Sequence, residues 1–293
     1  MDFISYTITT EEKWRVDGIL TKKLGFGSGR IASLKRAKGS ILLNGRPVHT
    51  DVRVKSGDVV SARIGDVNGY NPAPPVDIPL RFVYEDEYLV VLDKQAGLAT
   101  QGPPEIGNET VAGAVSFLWG QETSFHPVSR LDRGTSGLMI VAKSGYVHDL
   151  LRKQLHSESL LRKYKAVVEG IPRPPAAEID LSIARENENS LKRIISDEGK
   201  PSKTYYKTLW TGDDRALLEV TPYTGRTHQI RVHLSAIKHP IVGDWLYGAE
   251  DRDLIARPAL HSFFVSFYHP VLHSTMTFES PLPDDMKKLI DKR

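Results

Sequence analysis

The sequence predicts an α+β fold in two units, and three observations carry that expectation. The 293 residues exceed what one compact domain usually holds. Segments of strand and helix periodicity follow one another without the regular strand–helix–strand order of a doubly wound sheet. Between the two units lies "NGYNPAPPVDIPL" (Asn68 to Leu80), with four prolines and neither period, which reads as an extended linker. The expected units are therefore 1–67 and 80–293, joined by a linker at 68–79.

The elements follow in order. Val16, Ile19, Leu20 and Leu24 recur at helical spacing. Ser28 is placed to cap a second helix that turns Ile31 and Leu34 inward and Arg30, Lys35, Arg36 and Lys38 outward, with Gly39 ending it. "SILLNGRPV", which carries Arg46, reads as strand, Asn-Gly turn and strand, and "VKSGDVVSARI" as a turn and a further strand. "GFGSGR" lacks the third glycine and the preceding strand of a dinucleotide-binding loop, so its glycines punctuate a loop. In the second unit "RFVYEDEYLVVLDK" holds two strands around an acidic turn, and "LRKYKAVVEG" and "RALLEVTP" are strands. "VHDLLRKQLHS" is a helix, and "GIPRPPAAEIDL" reads as an internal loop or insertion.

Composition narrows the chemistry. There is no cysteine, which excludes disulfides, thiolate metal sites and cysteine nucleophiles and fits a reducing cytoplasm. No apolar run approaches the ~20 residues of a membrane span, and Met1 to Thr10 does not have the pattern of a secretory leader. Positive charge is concentrated early. Residues 1–70 hold 12 Lys and Arg against 7 Asp and Glu, and the remainder 27 against 29. A nucleic-acid surface and a merely solvated basic face both account for that excess.

Three stretches could carry a reaction. In "HPVSRLDRGTSGLMIVAKS", Asp132 stands between Arg130 and Arg133, and Gly134 and Gly137 shape a tight turn into the apolar strand that begins at Leu138. A guanidinium near Asp132 stabilises its ionised form, whether for catalysis or simply to tie down the turn. Gly-Thr-Ser-Gly is not the nucleophile elbow of a serine hydrolase. In "VTPYTGRTHQIRVHLSAIKHPIVGDWLYG", Gly225 turns the chain, Thr227 can cap, and Ile230, Leu234 and Ile237 form a helical stripe with Arg231 displayed away from it. His228, His233 and His239 lack metal-ligand spacing and a matched carboxylate, so no metal site is expected. In "RKYKAVVEG", Tyr164 and Ala166 share the face opposite Lys163 and Lys165, and the Tyr164 ring can stack on a base or pack in a core.

Together these stretches resemble the RluA/RluD-type pseudouridine synthases. "SRLDRGTSG", "RKYKAVVEG" and "GRTHQIRVHLSAIKHPIVGDWLYG" are similar to the family's motifs in order and spacing. So are "YLVVLDKQAGLAT" and "RPALHSFFVSFYHP", and the likeness runs over residues 80–283. Residues 14–64 resemble a small RNA-binding domain of the S-four ribosomal-protein type. One departure is Ser129, where the family usually has a histidine before Arg-Leu-Asp.

The resemblance implies a mixed, largely antiparallel sheet in the catalytic domain, preceded by a small α+β RNA-binding domain. It implies a cofactor-free isomerase that converts uridine to pseudouridine in structured RNA, large-subunit ribosomal RNA by family habit, acting in the cytoplasm as a monomer. By resemblance Asp132 is the essential carboxylate, whether it attacks the sugar, adds to the base or assists elimination; Arg231 pairs with it, and Tyr164 stacks on the extruded base or accepts its proton. Arg130 fills the space the flipped nucleotide leaves, and Leu260 closes the pocket. Gly134, Thr135 and Gly137 pass close to the substrate, as do Gly225, Arg226, Thr227, His228 and Gln229. Arg30, Lys35, Arg36, Lys38 and Arg46 would meet RNA from the first domain. The rival expectation is a non-catalytic RNA-binding or ribosome-assembly protein that keeps the scaffold.

Overall fold

A computed structural model describes residues 3–9, 14–66, 73–102, 109–120, 124–155, 157 and 159–291. The first unit comprises β1 (Phe3–Thr7), α1 (Val16–Lys22), α2 (Ser28–Arg36), β2 (Ile41–Leu43), β3 (Arg46–Pro47) and β4 (Val59–Arg63). Its four strands form an antiparallel sheet in the order β1-β4-β2-β3. Asn44 and Gly45 both take positive φ, 51° and 77°, the backbone twist that a two-residue hairpin needs. Val16, Ile19, Leu20, Ile31 and Leu34 are buried as their spacing requires. Strand β1 went unread in the sequence; it pairs with β4 along its whole length.

Two expectations fail here for physical reasons. Ser28 does not cap α2: Gly27 holds the cap position without a side-chain bond, and Ser28 is already helical. Arg30 does not face solvent. Its guanidinium donates to Asp66 at 3.0 Å and to the Ile64 carbonyl at 3.0 Å, and it also bonds the Gly65 carbonyl. Asp66 in turn accepts from the Gly145 amide at 3.1 Å and bonds His126 Nε2 at 2.8 Å. Burial opposes the charge on Asp66, yet His126 and these donors hold its carboxyl far below the ordinary carboxylate range.

The larger sheet begins with β5 (Arg81–Glu85), β6 (Leu89–Lys94), α3 (Val111–Trp119), β7 (His126–Pro127), β8 (Ser136–Ala142) and α4 (Gly145–Gln154). It continues through β9 (Leu160–Glu169), β10 (Ala176–Asp180), β11 (Ile183–Arg185), β12 (Arg193–Ile195), β13 (Lys203–Thr211) and β14 (Arg215–Pro222). Helix α5 (Gln229–Ala236), β15 (Leu260–His269), β16 (Ser274–Glu279) and α6 (Asp284–Ile290) complete it. The strand order is β10-β13-β14-β9-β15-β8-β6-β5, with β16 beside β15 and β7 beside β8. Among the named strands of the described residues the one parallel pairing joins β15 to β8, so the fold is α+β with a mixed, largely antiparallel sheet. Strands β11 and β12 form a separate hairpin.

The stretch "GIPRPPAAEIDL" is only partly loop, because its second half is edge strand β10, paired to β13. Pro174 and Pro175 stand just before that strand, where a missing amide donor costs no ladder bond. Residues 67–72 lie outside the described residues, so the first part of the expected linker does too; residues 73–80 follow without regular structure.

The two sheets do not have separate cores. Val16, Leu20, Phe26 and Ile31 share one apolar cluster with Leu89, Val91, Ile140, Tyr146 and Leu151. Phe26 and Tyr146 stack with ring centroids 4.5 Å apart, and the Tyr146 hydroxyl donates to the Leu24 carbonyl at 2.9 Å. Helix α4 is thus the face on which the first unit docks. No helix among the described residues is long and apolar enough to cross a membrane.

Candidate active site

The turn before β8 is held from behind. The Thr135 amide donates to the Asp132 carbonyl at 3.1 Å, and the Gly97 amide donates to the Arg133 carbonyl at 2.8 Å. Thr100 Oγ1 donates to the Leu131 carbonyl and accepts from its amide. Buried Lys94 donates to the Gln95 and Leu98 carbonyls at 2.9 and 2.8 Å, which fixes that segment behind the turn. Burial pulls Lys94 down to about 7, against the opposing pull of the Asp132 charge.

The turn's glycines serve packing. Gly137 has φ +106°, and any Cβ there would strike the Ser262 backbone of β15; a Cβ on Gly134 would meet Pro258 Cδ at 2.8 Å. Neither glycine lines the cleft, whereas Thr135 does. Their lack of side chains lets the turn press against β15 and Pro258.

Asp132 is 28% exposed and projects into a cleft of about 1020 Å³. Arg231 Nη1 lies 3.4 Å from its Oδ2, and His228 Nε2 lies 3.9 Å away. The guanidinium of Arg231 is nearly buried, not displayed to solvent. Its stronger partner is Asp244, fully buried, whose two oxygens accept from Nε and Nη2 at 2.7 Å each. Burial opposes the Arg231 charge, but the bonds to Asp244 push its pKa above the ordinary arginine range. A guanidinium so fixed presents its remaining edge to Asp132 in one geometry.

The start of α5 also departs from expectation. Thr227 does not cap it. His228 occupies the cap position in the left-handed region, φ 57°, and makes no capping bond. Gln229 is buried and braces the preceding loop, accepting from Thr224 Oγ1 at 2.6 Å and the Arg226 amide at 3.1 Å. Its amide nitrogen donates to the Lys203 carbonyl and to Thr204 Oγ1, both at 2.9 Å.

Tyr164 is buried on β9 and faces the cleft opposite Lys163 and Lys165, as alternation requires; Leu260 lies beside it at the start of β15. Burial, with the Asp132 charge adding to it, raises the phenol above its usual pKa. Arg130 stands exposed at the rim, and Gly225, Arg226, Thr227, His228 and Gln229 all line the cleft. Half-buried Ser129 lines it too. Lys35, Arg36, Lys38 and Arg46 are exposed on the first unit, away from these residues in the lining.

The sequence reading missed Asp244, Tyr247 and the arginines at 152, 162, 185 and 193 that line the cleft. Asp244 had one legible signal, a lone acid within the apolar "IVGDWLYG". The arginines had none, because they come from four separate elements or loops. Asp132 is the only carboxylate among the described lining residues, within a wall of guanidinium groups. Arg162 Nε is buried without a hydrogen-bond partner among the described residues. Such a cleft suits a polyanion around one reacting carboxylate. No group of ligands suited to a metal ion occurs among the described residues.

Comparison with known proteins agrees with this geometry. Residues 88–236 match the family described as RNA pseudouridylate synthase. The chain is 33% identical over 271 residues to the RNA pseudouridine synthase YjbO of Bacillus subtilis, covering 92% of this chain and 95% of that protein. It is 34% identical over 295 residues to ribosomal large subunit pseudouridine synthase D of Neisseria meningitidis, covering 94% and 78%. The solved human RNA pseudouridylate synthase domain containing 1 superposes with a TM-score of 0.57 at 25% identity, covering 71% of this chain and 85% of that one.

Proposed function

The chain belongs to the RNA pseudouridylate synthase family, and from that premise we propose that it isomerises uridine within large-subunit ribosomal RNA, with Asp132 as the essential carboxylate. The enzyme class is that of an isomerase. Uracil leaves C1′ of its ribose through N1 and rejoins it through C5; the C5 proton is lost, N1 gains one, and nothing is added overall. The ribosomal target rests on the likeness to the Neisseria protein and on the basic first unit.

One observation carries the site assignment: among the described lining residues Asp132 alone is acidic, in a cleft walled by arginine with Arg231 locked behind it. Attack on the sugar, addition to the base and assisted elimination all use an ionised carboxylate at this place. A stacked uridine cannot bring its glycosidic bond to Asp132, so the nucleotide is extruded at a cost of roughly a few kcal/mol. Arg130 at the rim is placed to fill the vacated stack, and Arg162 to take a flanking phosphate. Tyr164, kept as a neutral phenol by burial, serves as a stacking surface beside Leu260; as a proton acceptor it would first have to pass on its own proton. Residues 1–67 act as the RNA-binding domain through Lys35, Arg36, Lys38 and Arg46, and Arg30 belongs to the junction instead. Ribosomal RNA as substrate places the work in the cytoplasm, and a monomer suffices because one chain supplies the whole cleft. Nothing supports the non-catalytic alternative.

The test is incubation of wild type and Asp132→Asn with unmodified ribosomal RNA, followed by carbodiimide mapping of pseudouridine. Wild type should modify discrete uridines, and the variant should lose roughly 10⁴-fold or more in rate while binding RNA normally. Turnover retained in the variant would refute the assignment.

A further inference from the structure

One side chain touches both groups that face Asp132. The Tyr247 ring lies under the Arg231 guanidinium, with Cζ 5.1 Å from the ring centroid. Its hydroxyl lies 2.9 Å from His228 Nδ1 and accepts from the Arg193 backbone amide at 2.8 Å. The tyrosine is itself held in place: its carbonyl accepts from Ser235 Oγ of α5 at 2.8 Å, and its amide donates to the Asp244 carbonyl at 3.2 Å.

These contacts favour one tautomer. A phenol has one proton to give, and the Arg193 amide already occupies one of its lone pairs. With that lone pair taken, the Tyr247 proton is available to His228 Nδ1, and a bond in that direction leaves the histidine's hydrogen on Nε2. That nitrogen faces Asp132 Oδ2 at 3.9 Å. His228 holds this orientation from a left-handed backbone conformation uncommon outside glycine, which persists only where the surroundings over-determine it.

Resting on the pseudouridine synthase reading, we propose that Tyr247 is a positioning residue. Its hydroxyl, anchored by the hairpin amide of Arg193, locks His228 as the Nε2–H tautomer and presents that N–H to Asp132 and to the nucleobase bound against it. A neutral donor there steadies the negative charge that uracil oxygens gain when the glycosidic bond breaks. It does so without adding a second cation next to Arg231. The charged and titratable groups around His228 are Asp132, Arg231, Arg193, Asp244 and Tyr247. Burial is the largest influence on His228 and keeps it neutral, opposing the pull of Asp132, while burial likewise keeps the Tyr247 phenol protonated and able to donate. Because Arg193 belongs to β12, the arrangement also ties the cleft-lining hairpin to the reacting carboxylate.

The test is Tyr247→Phe, which keeps the ring under Arg231 and removes only the hydroxyl. Nitrogen-15 NMR of the RNA-free wild type should show His228 protonated at Nε2, and the variant should show mixed tautomers. With an RNA substrate, kcat should fall roughly tenfold with KM nearly unchanged. The acidic limb of the pH–kcat profile should move to higher pH, since loss of the donor to Nδ1 favours protonation of His228. His228→Gln, which keeps an N–H donor, should retain more activity than His228→Ala. An unlocked tautomer in an active wild type, or a Tyr247→Phe enzyme with unchanged kcat and acidic limb, overturns the proposal. So does a variant that loses activity only through a lower Tm. A locked tautomer in a protein that makes no pseudouridine would instead sink the functional reading, and with it the catalytic role of Tyr247, while leaving the Tyr247–His228 contact itself in place.

Discussion

Arg231 and Arg36 carry the same charge under opposite conditions. Arg231 is enclosed, held by both oxygens of Asp244, and meets Asp132 in one geometry. Arg36 stands on the outer face of α2 with Lys35, exposed to water and without an ion pair among the described residues. A buried, paired charge acts over a few ångströms and is little affected by salt. An exposed cluster acts over about a Debye length, roughly 8–10 Å at ordinary ionic strength, and fades as salt rises. The same residue type thus serves orientation in the cleft and attraction on the first unit.

The contrast can be broken at Asp244 first. Asp244→Ala leaves Arg231 buried without its main partner, and denaturant unfolding should show a loss of about 3–5 kcal/mol with activity lost as well. A near-neutral result would mean that Asp132 alone can satisfy the guanidinium. Asp66→Ala probes the junction between the two regions. It strips Arg30, His126 and the Gly145 amide of a shared acceptor, and should cost about 1–3 kcal/mol in the same assay. Deleting the whole first unit is a poorer test, because it would bare the apolar faces of β6 and α4.

Replacing Lys35, Arg36, Lys38 and Arg46 together by alanine should leave stability within about 0.5 kcal/mol. It should weaken RNA binding and make the slope of log K against log salt shallower by up to about 3. An unchanged slope would remove these four residues from the RNA surface. The smallest effect concerns pH. Burial displaces His228, His233 and His261 below their ordinary value of 6.5. Below that pH the unfolded chain takes up protons the folded chain excludes, so stability falls as pH drops. Thermal melts should show a Tm lower by a few degrees at about pH 5.5 than at pH 7; a flat Tm would mean these imidazoles are open to water.

Much of the fold was readable because its signals are local. The Asn44-Gly45 hairpin, the alternation that turns Tyr164 toward the cleft, and the apolar spacing of Ile31 and Leu34 depend on neighbours within a few residues. What misled is equally instructive. Ser28 and Thr227 have the chemistry of caps, yet Gly27 and His228 take those places. Arg30 has the look of a surface residue, but its partner Asp66 lies 36 positions away. The expected pairing of Arg231 with Asp132 was found, while Asp244, which binds Arg231 more closely, was overlooked.

The sequence alone determined which residues could react and which periodicities would fold, since residue type and near spacing are written in the chain. Only the tertiary structure decided that strands, helices and loops distant in the chain would line one cleft in which Asp132 is the single carboxylate among the described lining residues. It alone brought Tyr247 to His228 and joined the first unit to α4. Those outcomes depend on contacts between residues distant in the chain, and the strength of a charge or hydrogen bond follows from distance and burial, which a linear order does not contain.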